Sequence, residues 1–204
     1  MSAGAGSHRV QDRVLTVPNV ISLARLGLIV VFGYLLLVAQ ADGLAAATLI
    51  ISGISDWADG KLARVLDQSS ALGALLDPAI DRLYMAAVPI AFGLRGLVPW
   101  WIIGTLLARD LLLAAVLPVL RSRGLTALPV TYIGKAGTFA LMSAFPLILL
   151  GQWDAVGSRA VLSVGWAFLL WGLGMYLWAF VLYLIQVRLV VRTLPKITSR
   201  GADV

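Results

Sequence analysis

The sequence of 204 residues has no cysteine, no glutamate and one histidine. Without cysteine there is no disulfide scaffold, no thiol nucleophile and no thiolate metal site. The lone His8, in the polar N-terminal stretch, leaves a Ser-His-Asp triad or a histidine-rich zinc site without its parts. There is no Walker A loop, no G-x-G-x-x-G, no H-E-x-x-H and no S-x-x-K, which excludes ATP-driven transport by this chain alone and the common hydrolase classes. No G-x-x-x-G pair occurs either, so that helix-dimer motif gives no support for self-association. Charge is scarce. Only 13% of residues are charged and 60% are hydrophobic, against about 25% and about 45–50% in soluble domains. So apolar a chain has more oily surface than its own core can hide, and a bilayer is the simplest solvent for it.

Apolar runs near the roughly 20 residues that a bilayer requires recur six times, at about 21–40, 43–66, 70–94, 98–120, 130–151 and 160–190. The expected fold is an all-α integral membrane protein of six transmembrane helices. Residues 1–15 form a polar tail, 16–192 one membrane domain and 193–204 a basic tail. Thr16-Val17-Pro18-Asn19 reads as a helix start with proline in the first turn, and predicts a short N-terminal interfacial helix leading into the first span. The last run is long enough to tilt or to emerge into water. Leu26–Val38 before Ala39-Gln40-Ala41 loosely fits a secretion signal, but the charge pattern works with that span retained.

Basic residues choose the side. Arg9, Arg13, Lys61, Arg64, Arg121, Arg123, Arg188, Arg192, Lys196 and Arg200 flank one set of span ends; the opposite loops hold Arg95 and Arg159. This asymmetry predicts a multi-pass protein of the cytoplasmic membrane with both termini cytoplasmic. The net charge of +6 then reads as attraction to anionic headgroups. Spread over loops, the basic residues form no nucleic-acid face.

All ten acids are aspartate, and Asp56, Asp59, Asp77, Asp81 and Asp110 lie within or beside apolar stretches, where an ionisable group is costly unless paired, wet or metal-bound. At ~100° per residue, Asp56, Asp59, Gly60 and Ala63 share one sector of a helix, with Arg64 at its edge. Gly73, Asp77 and Asp81 follow at i, i+4 and i+8, and Tyr84 extends the row. Four carboxylates brought together in a low-dielectric setting need neutralising. An oxygen-only donor set selects a hard cation such as Mg²⁺, Mn²⁺ or Ca²⁺, and four aspartates suffice for two ions. Gly60, Ala63 and Gly73 leave room for a bulky polar ligand, and Arg64 can fork onto phosphate oxygens. The pattern describes a diphosphate held by metals at the cytoplasmic surface.

The string D-x-x-D-G-x-x-A-R-x8-G-x-x-x-D-x-x-x-D runs without a departure from Asp56 to Asp81. It resembles the signature of the CDP-alcohol phosphatidyltransferases, and the six spans suit that family over almost the whole chain. The resemblance implies that Asp56, Asp59 and Asp77 are ligands of Mg²⁺ or Mn²⁺, two ions in all. It implies that Asp81 is the general base on the acceptor hydroxyl and also stands near a metal. It places Gly60, Ala63, Arg64 and Gly73 around the CDP moiety. The implied reaction is attack of an alcohol on the lipid-bearing phosphorus of CDP-diacylglycerol with CMP leaving, in a homodimer with its active site facing the cytoplasm. Asp77 before Pro78 also fits a helix N-cap, and Asp56 and Asp59 also fit helix-end charges paired with Lys61 or Arg64.

Arg109-Asp110, inside the fourth span, is either an ion pair that fixes packing or part of the site. Lys135 either snorkels to headgroups or binds an acceptor phosphate. Arg121, Arg188 and Arg192 fit headgroup contacts, and Arg188 is also an acceptor candidate with Arg109 and Lys135. Trp100, Trp101, Trp166, Trp171 and Trp178 read as belt or packing residues. The surroundings of Arg109-Asp110 and Lys135 look more like the cardiolipin-synthase branch, whose acceptor is phosphatidylglycerol. Glycerol-3-phosphate and inositol phosphate are the alternatives. A divalent-cation transporter is the competing class, but a pathway should carry acids across the bilayer, and these four cluster at one side.

Overall fold

The computed structural model describes the backbone of residues 17–66, 71–123, 132–153 and 155–193, and side chains within 23–55, 79–120, 122–123, 132–153 and 155–193. The polar tail 1–15 and most of the basic tail lie outside the described residues. Six helices account for nearly all the rest: α1 (Val17–Leu37), α2 (Asp42–Leu66), α3 (Ala71–Leu94), α4 (Trp100–Arg121), α5 (Tyr132–Leu150) and α6 (Ser158–Thr193). Each coincides with one of the six apolar runs. In that solvent, regular helix satisfies every backbone polar group from within. Among the described residues, three helices are long and apolar enough to cross a membrane, at Trp100–Leu120, Tyr132–Leu150 and Ser158–Thr193, and shorter apolar stretches cover Leu23–Leu37 and Asp42–Ser55. The 36 residues of α6 extend to about 54 Å, longer than a hydrocarbon core of about 30 Å. Val17-Pro18-Asn19 turns out to be the first turn of α1 itself, which continues unbroken to Leu37. Proline is tolerated there because its missing N–H would have had no intrahelical partner.

The chain forms two compact units, residues 1–95 and 96–204. In the first, α1 packs on both α2 and α3. Its buried row is Arg25, Ile29, Phe32 and Leu36, at the i, i+4, i+7, i+11 spacing that keeps one helix face turned to a neighbour. The facing row of α3 is Ile80, Tyr84, Val88 and Phe92, and the rings of Phe32 and Phe92 stack at 6.3 Å. The buried row of α2 contains Ala45, Leu49 and Ser52; the hydroxyl of the buried Thr48 donates to Leu44 O at 2.8 Å. Between α1 and α2, Gln40 takes φ +50°, and Ala41 N–H donates to Leu35 O at 2.9 Å. Arg95 then staples the far end of this unit. Its Nε donates to Leu36 O at 3.1 Å and its NH2 to Asp42 Oδ1 at 3.4 Å. A cation thus meets the negative end of α1 and a carboxylate in the first turn of α2.

In the second unit, α5 and α6 make the most extensive helix pair, and α4 packs on α6. The pair is antiparallel with a seam of small residues. Gly137, Ala144 and Gly151 recur every seven residues on α5 and its end, and Gly165, Gly172 and Ala179 do the same on α6; all six are buried. Backbones approach so closely that a Cβ added at Gly165 would stand 2.9 Å from Ile148 N, and one at Gly172 would stand 3.0 Å from Leu141 N. Lipid tails are as apolar as leucine, so between helices in a membrane close van der Waals packing carries the association. The pattern is a glycine heptad, which a search for G-x-x-x-G passes over.

Candidate active site

The aspartate motif lies on α2 and α3. Asp56, Asp59, Gly60, Ala63 and Arg64 fall in the C-terminal half of α2, and Gly73, Asp77 and Asp81 in the N-terminal half of α3. The side chains of all but Asp81 lie outside the described residues, as do those of Lys61 and Pro78. The backbone still decides one alternative. Because α3 begins at Ala71, Asp77 is its seventh residue, and the N-cap reading of Asp77-Pro78 does not hold. Helical register says more. By helical spacing alone, positions 56, 59 and 63 fall in register with Ala45, Leu49 and Ser52 on α2, and positions 77 and 73 fall in register with Ile80 and Tyr84 on α3.

Asp81 is the motif residue whose surroundings are described. Its Oδ1 accepts a hydrogen bond from NH2 of Arg25 at 2.5 Å. The two partners differ sharply in exposure: the Arg25 side chain is 3% exposed, that of Asp81 53%. Oδ2 makes no hydrogen bond among the described residues. Arg25 was not among the candidates read from the sequence. The available signal was a lone cation inside the first apolar run, on the same helical row as Ile29, Phe32 and Leu36.

In the other unit, Arg109 and Asp110 do form an ion pair, NH1 to Oδ1 at 2.9 Å. Tyr176 of α6 joins them: its hydroxyl donates to the same Asp110 oxygen at 2.6 Å, and the Arg109 guanidinium lies 3.9 Å from its ring centroid. Tyr176 is buried at 4% exposure, so the cluster ties α4 to α6 while neutralising both charges. Nε of Arg109 is buried without a hydrogen bond. Tyr176 is a second residue that sequence reasoning passed over, because tyrosine in a long apolar helix reads as packing. Lys135 and Arg188 are both exposed; Nζ of Lys135 lies 5.9 Å from the Tyr132 ring centroid. Trp100 and Trp101 are exposed at the start of α4, as belt residues would be. Trp171 and Trp178, half-way along α6, line an apolar groove of about 360 Å³ with Ile133, Leu170, Gly174 and Met175. That lining has no titratable side chain, so the groove has no acid-base chemistry of its own.

The model of the CDP-alcohol phosphatidyltransferase family matches residues 15–178. A Mycobacterium tuberculosis protein named "Putative cardiolipin synthase" is 63% identical over 191 residues, covering 94% of this chain and 91% of that protein. A Streptomyces coelicolor protein named cardiolipin synthase (CMP-forming) is 46% identical over 190 residues, covering 90% and 88%. A Salmonella choleraesuis protein named CDP-diacylglycerol–glycerol-3-phosphate 3-phosphatidyltransferase is 30% identical over 169 residues, covering 79% and 92%.

Proposed function

Because the chain belongs to the CDP-alcohol phosphatidyltransferase family of transferases, we propose that it transfers the phosphatidyl group of CDP-diacylglycerol to phosphatidylglycerol, forming cardiolipin and releasing CMP. The observation that carries this reading is the complete eight-position motif on two consecutive helices, inside the matched region. The choice of acceptor is supported by the relatives: those at 63% and 46% identity bear the cardiolipin synthase name, whereas relatives named for glycerol-3-phosphate are at 30% over 79% of this chain and at 37% over half of it. The sequence-level competitor, a cation transporter, has no counterpart in a family of transferases.

The donor set suits a hard divalent cation. It offers only aspartate oxygens, each pair is spaced by one helical turn, and Asp81 presents a half-exposed carboxylate. Asp56, Asp59 and Asp77, with Asp81 beside them, would hold two Mg²⁺ or Mn²⁺ ions, which when bound supply positive charge to the diphosphate. Gly60, Ala63 and Gly73 leave space for the nucleotide, and Arg64 donates a forked pair of hydrogen bonds to phosphate oxygens. Asp81 takes the proton of the acceptor hydroxyl while its oxygen attacks the lipid-bearing phosphorus. The bond from that phosphorus to CMP breaks, and CMP leaves with the electron pair. Arg109, Lys135 and Arg188 are the cations proposed for the acceptor phosphate. The six helices span the cytoplasmic membrane with both termini and the site on the cytoplasmic side, supported by the basic asymmetry of the loops, and the enzyme works as a homodimer.

The test is CMP release from CDP-diacylglycerol by purified protein, with a panel of acceptors scored by mass spectrometry of the lipid product. Cardiolipin formed from phosphatidylglycerol, abolished by chelation and restored by Mg²⁺ or Mn²⁺, is the expected result. Phosphatidylglycerolphosphate or an inositol lipid as the main product would overturn the acceptor, and no CMP release with any acceptor would overturn the reaction.

A further inference from the structure

The geometry around Asp81 points to Arg25 as a positioning residue: from α1 it grips one carboxylate oxygen of Asp81 and holds the other toward the acceptor hydroxyl. The inference rests on the reading of Asp81 as the base. Its ground is the asymmetry of the pair. A carboxylate placed only to neutralise a buried guanidinium would be buried with it, since an isolated cation in an apolar span is costly. Here the guanidinium is 3% exposed and the carboxylate 53%. The cation is the fixed member and the carboxylate the presented one.

The anchor is rigid for a structural reason. Arg25 belongs to the buried row of α1 with Ile29, Phe32 and Leu36, and Phe32 is stacked on Phe92 of α3. Arg25 is eight residues into α1 and Asp81 ten residues into α3, about 12 and 15 Å from the helix starts. The two helices therefore bring the charges level at one end of the unit. With Oδ1 engaged at 2.5 Å, rotation about the carboxylate axis is blocked, and Oδ2 is left to accept the proton. Misplacing a reacting group by 1 Å is worth on the order of 10²-fold in rate, and a general base contributes about 10²–10⁴-fold. Losing the anchor should therefore cost turnover and spare substrate binding, which the nucleotide side of the site supplies.

The experiment is a steady-state series on purified protein in mixed micelles of CDP-diacylglycerol and phosphatidylglycerol with Mg²⁺. It compares Arg25→Met, Arg25→Lys, Asp81→Asn and the double variant Arg25→Met/Asp81→Asn, with Mn²⁺ binding followed by electron paramagnetic resonance. Arg25→Met should lower kcat about 100-fold, with KM for CDP-diacylglycerol and Mn²⁺ affinity within about threefold of wild type. Arg25→Lys, which keeps the cation but not the fork, should recover part of the loss. The double variant should be no slower than Asp81→Asn, because the two residues act as one unit. Wild-type kcat in Arg25→Met beside an inactive Asp81→Asn would overturn the assignment of Arg25 alone. So would losses that multiply in the double variant, or a loss confined to KM. Full activity of Asp81→Asn would instead overturn the role of Asp81 itself. If Arg25→Met does not yield folded protein, Arg25→Lys decides: wild-type kcat overturns the proposal, and a fall of at least fivefold at unchanged KM supports it.

Discussion

A single methyl at Gly165 tests the packing of α5 on α6. An added Cβ would lie 2.9 Å from Ile148 N, 3.0 Å from Ile148 Cγ1 and 3.2 Å from Leu147 C. Two of these atoms are backbone and cannot rotate away, so the helices must part by a few tenths of an ångström. Overpacking of this kind costs about 1–3 kcal/mol. The higher helix propensity of alanine returns about 1 kcal/mol, so Gly165→Ala should lose between about 0 and 2 kcal/mol. Gly174, nine residues along the same helix, has no heavy atom within 4 Å of its added Cβ, and Gly174→Ala keeps the propensity gain alone. The gap between the two variants isolates the steric cost of about 1–3 kcal/mol, or roughly 2–12 °C in Tm at about 2–4 °C per kcal/mol for a chain of this size. Thermal unfolding of both proteins in the same detergent, read by loss of the monodisperse peak, measures it. If Gly165→Ala melts with Gly174→Ala or above it, the close seam is not what holds this pair. Gly151→Ala should melt lower still, because its Cβ would come within 2.6 Å of Leu162 Cβ and 2.7 Å of Leu162 Cα.

Other perturbations read other parts of the molecule. Arg95→Met removes the bonds to Leu36 O and Asp42; with both side chains partly exposed, the expected loss is about 1–2 kcal/mol, seen as a lower Tm at unchanged KM. Tyr176→Phe deletes the hydroxyl bond to Asp110 but keeps the ring beside Arg109, and should cost about 1 kcal/mol. Tyr176→Leu also loses the ring contact and should cost about 0.5–2 kcal/mol more, so equal melting of the two variants would show that the ring contributes nothing. Asp81→Asn should lower kcat by about 10²–10⁴-fold in the CMP-release assay while the protein melts within a few degrees of wild type.

Local reading of the letters was enough to say that the chain is helical and where its helices lie, and to single out Asp56, Asp59, Asp77 and Asp81 as the candidate site. Each of these is a local property. An apolar run long enough for a bilayer leaves the backbone no partner but itself, and the motif spacing from Asp56 to Asp81 can be read along one strand of text. Asp77-Pro78 left two local readings open, because a helix start and a helix interior share the same dipeptide until the position of Ala71 is known. Tertiary structure alone decided the pairings. Arg25 meets Asp81 across 56 residues and Tyr176 meets Asp110 across 66, and no periodicity within one helix says which face of another it will find. The glycine heptads of α5 and α6 were present in the letters, but a small residue acquires meaning only when a second backbone comes close enough to exclude a methyl group. Charge in an apolar setting must be answered somewhere; the sequence showed that Asp81 and Asp110 required a partner, and the packing of rigid helices brought Arg25 and Tyr176 to them.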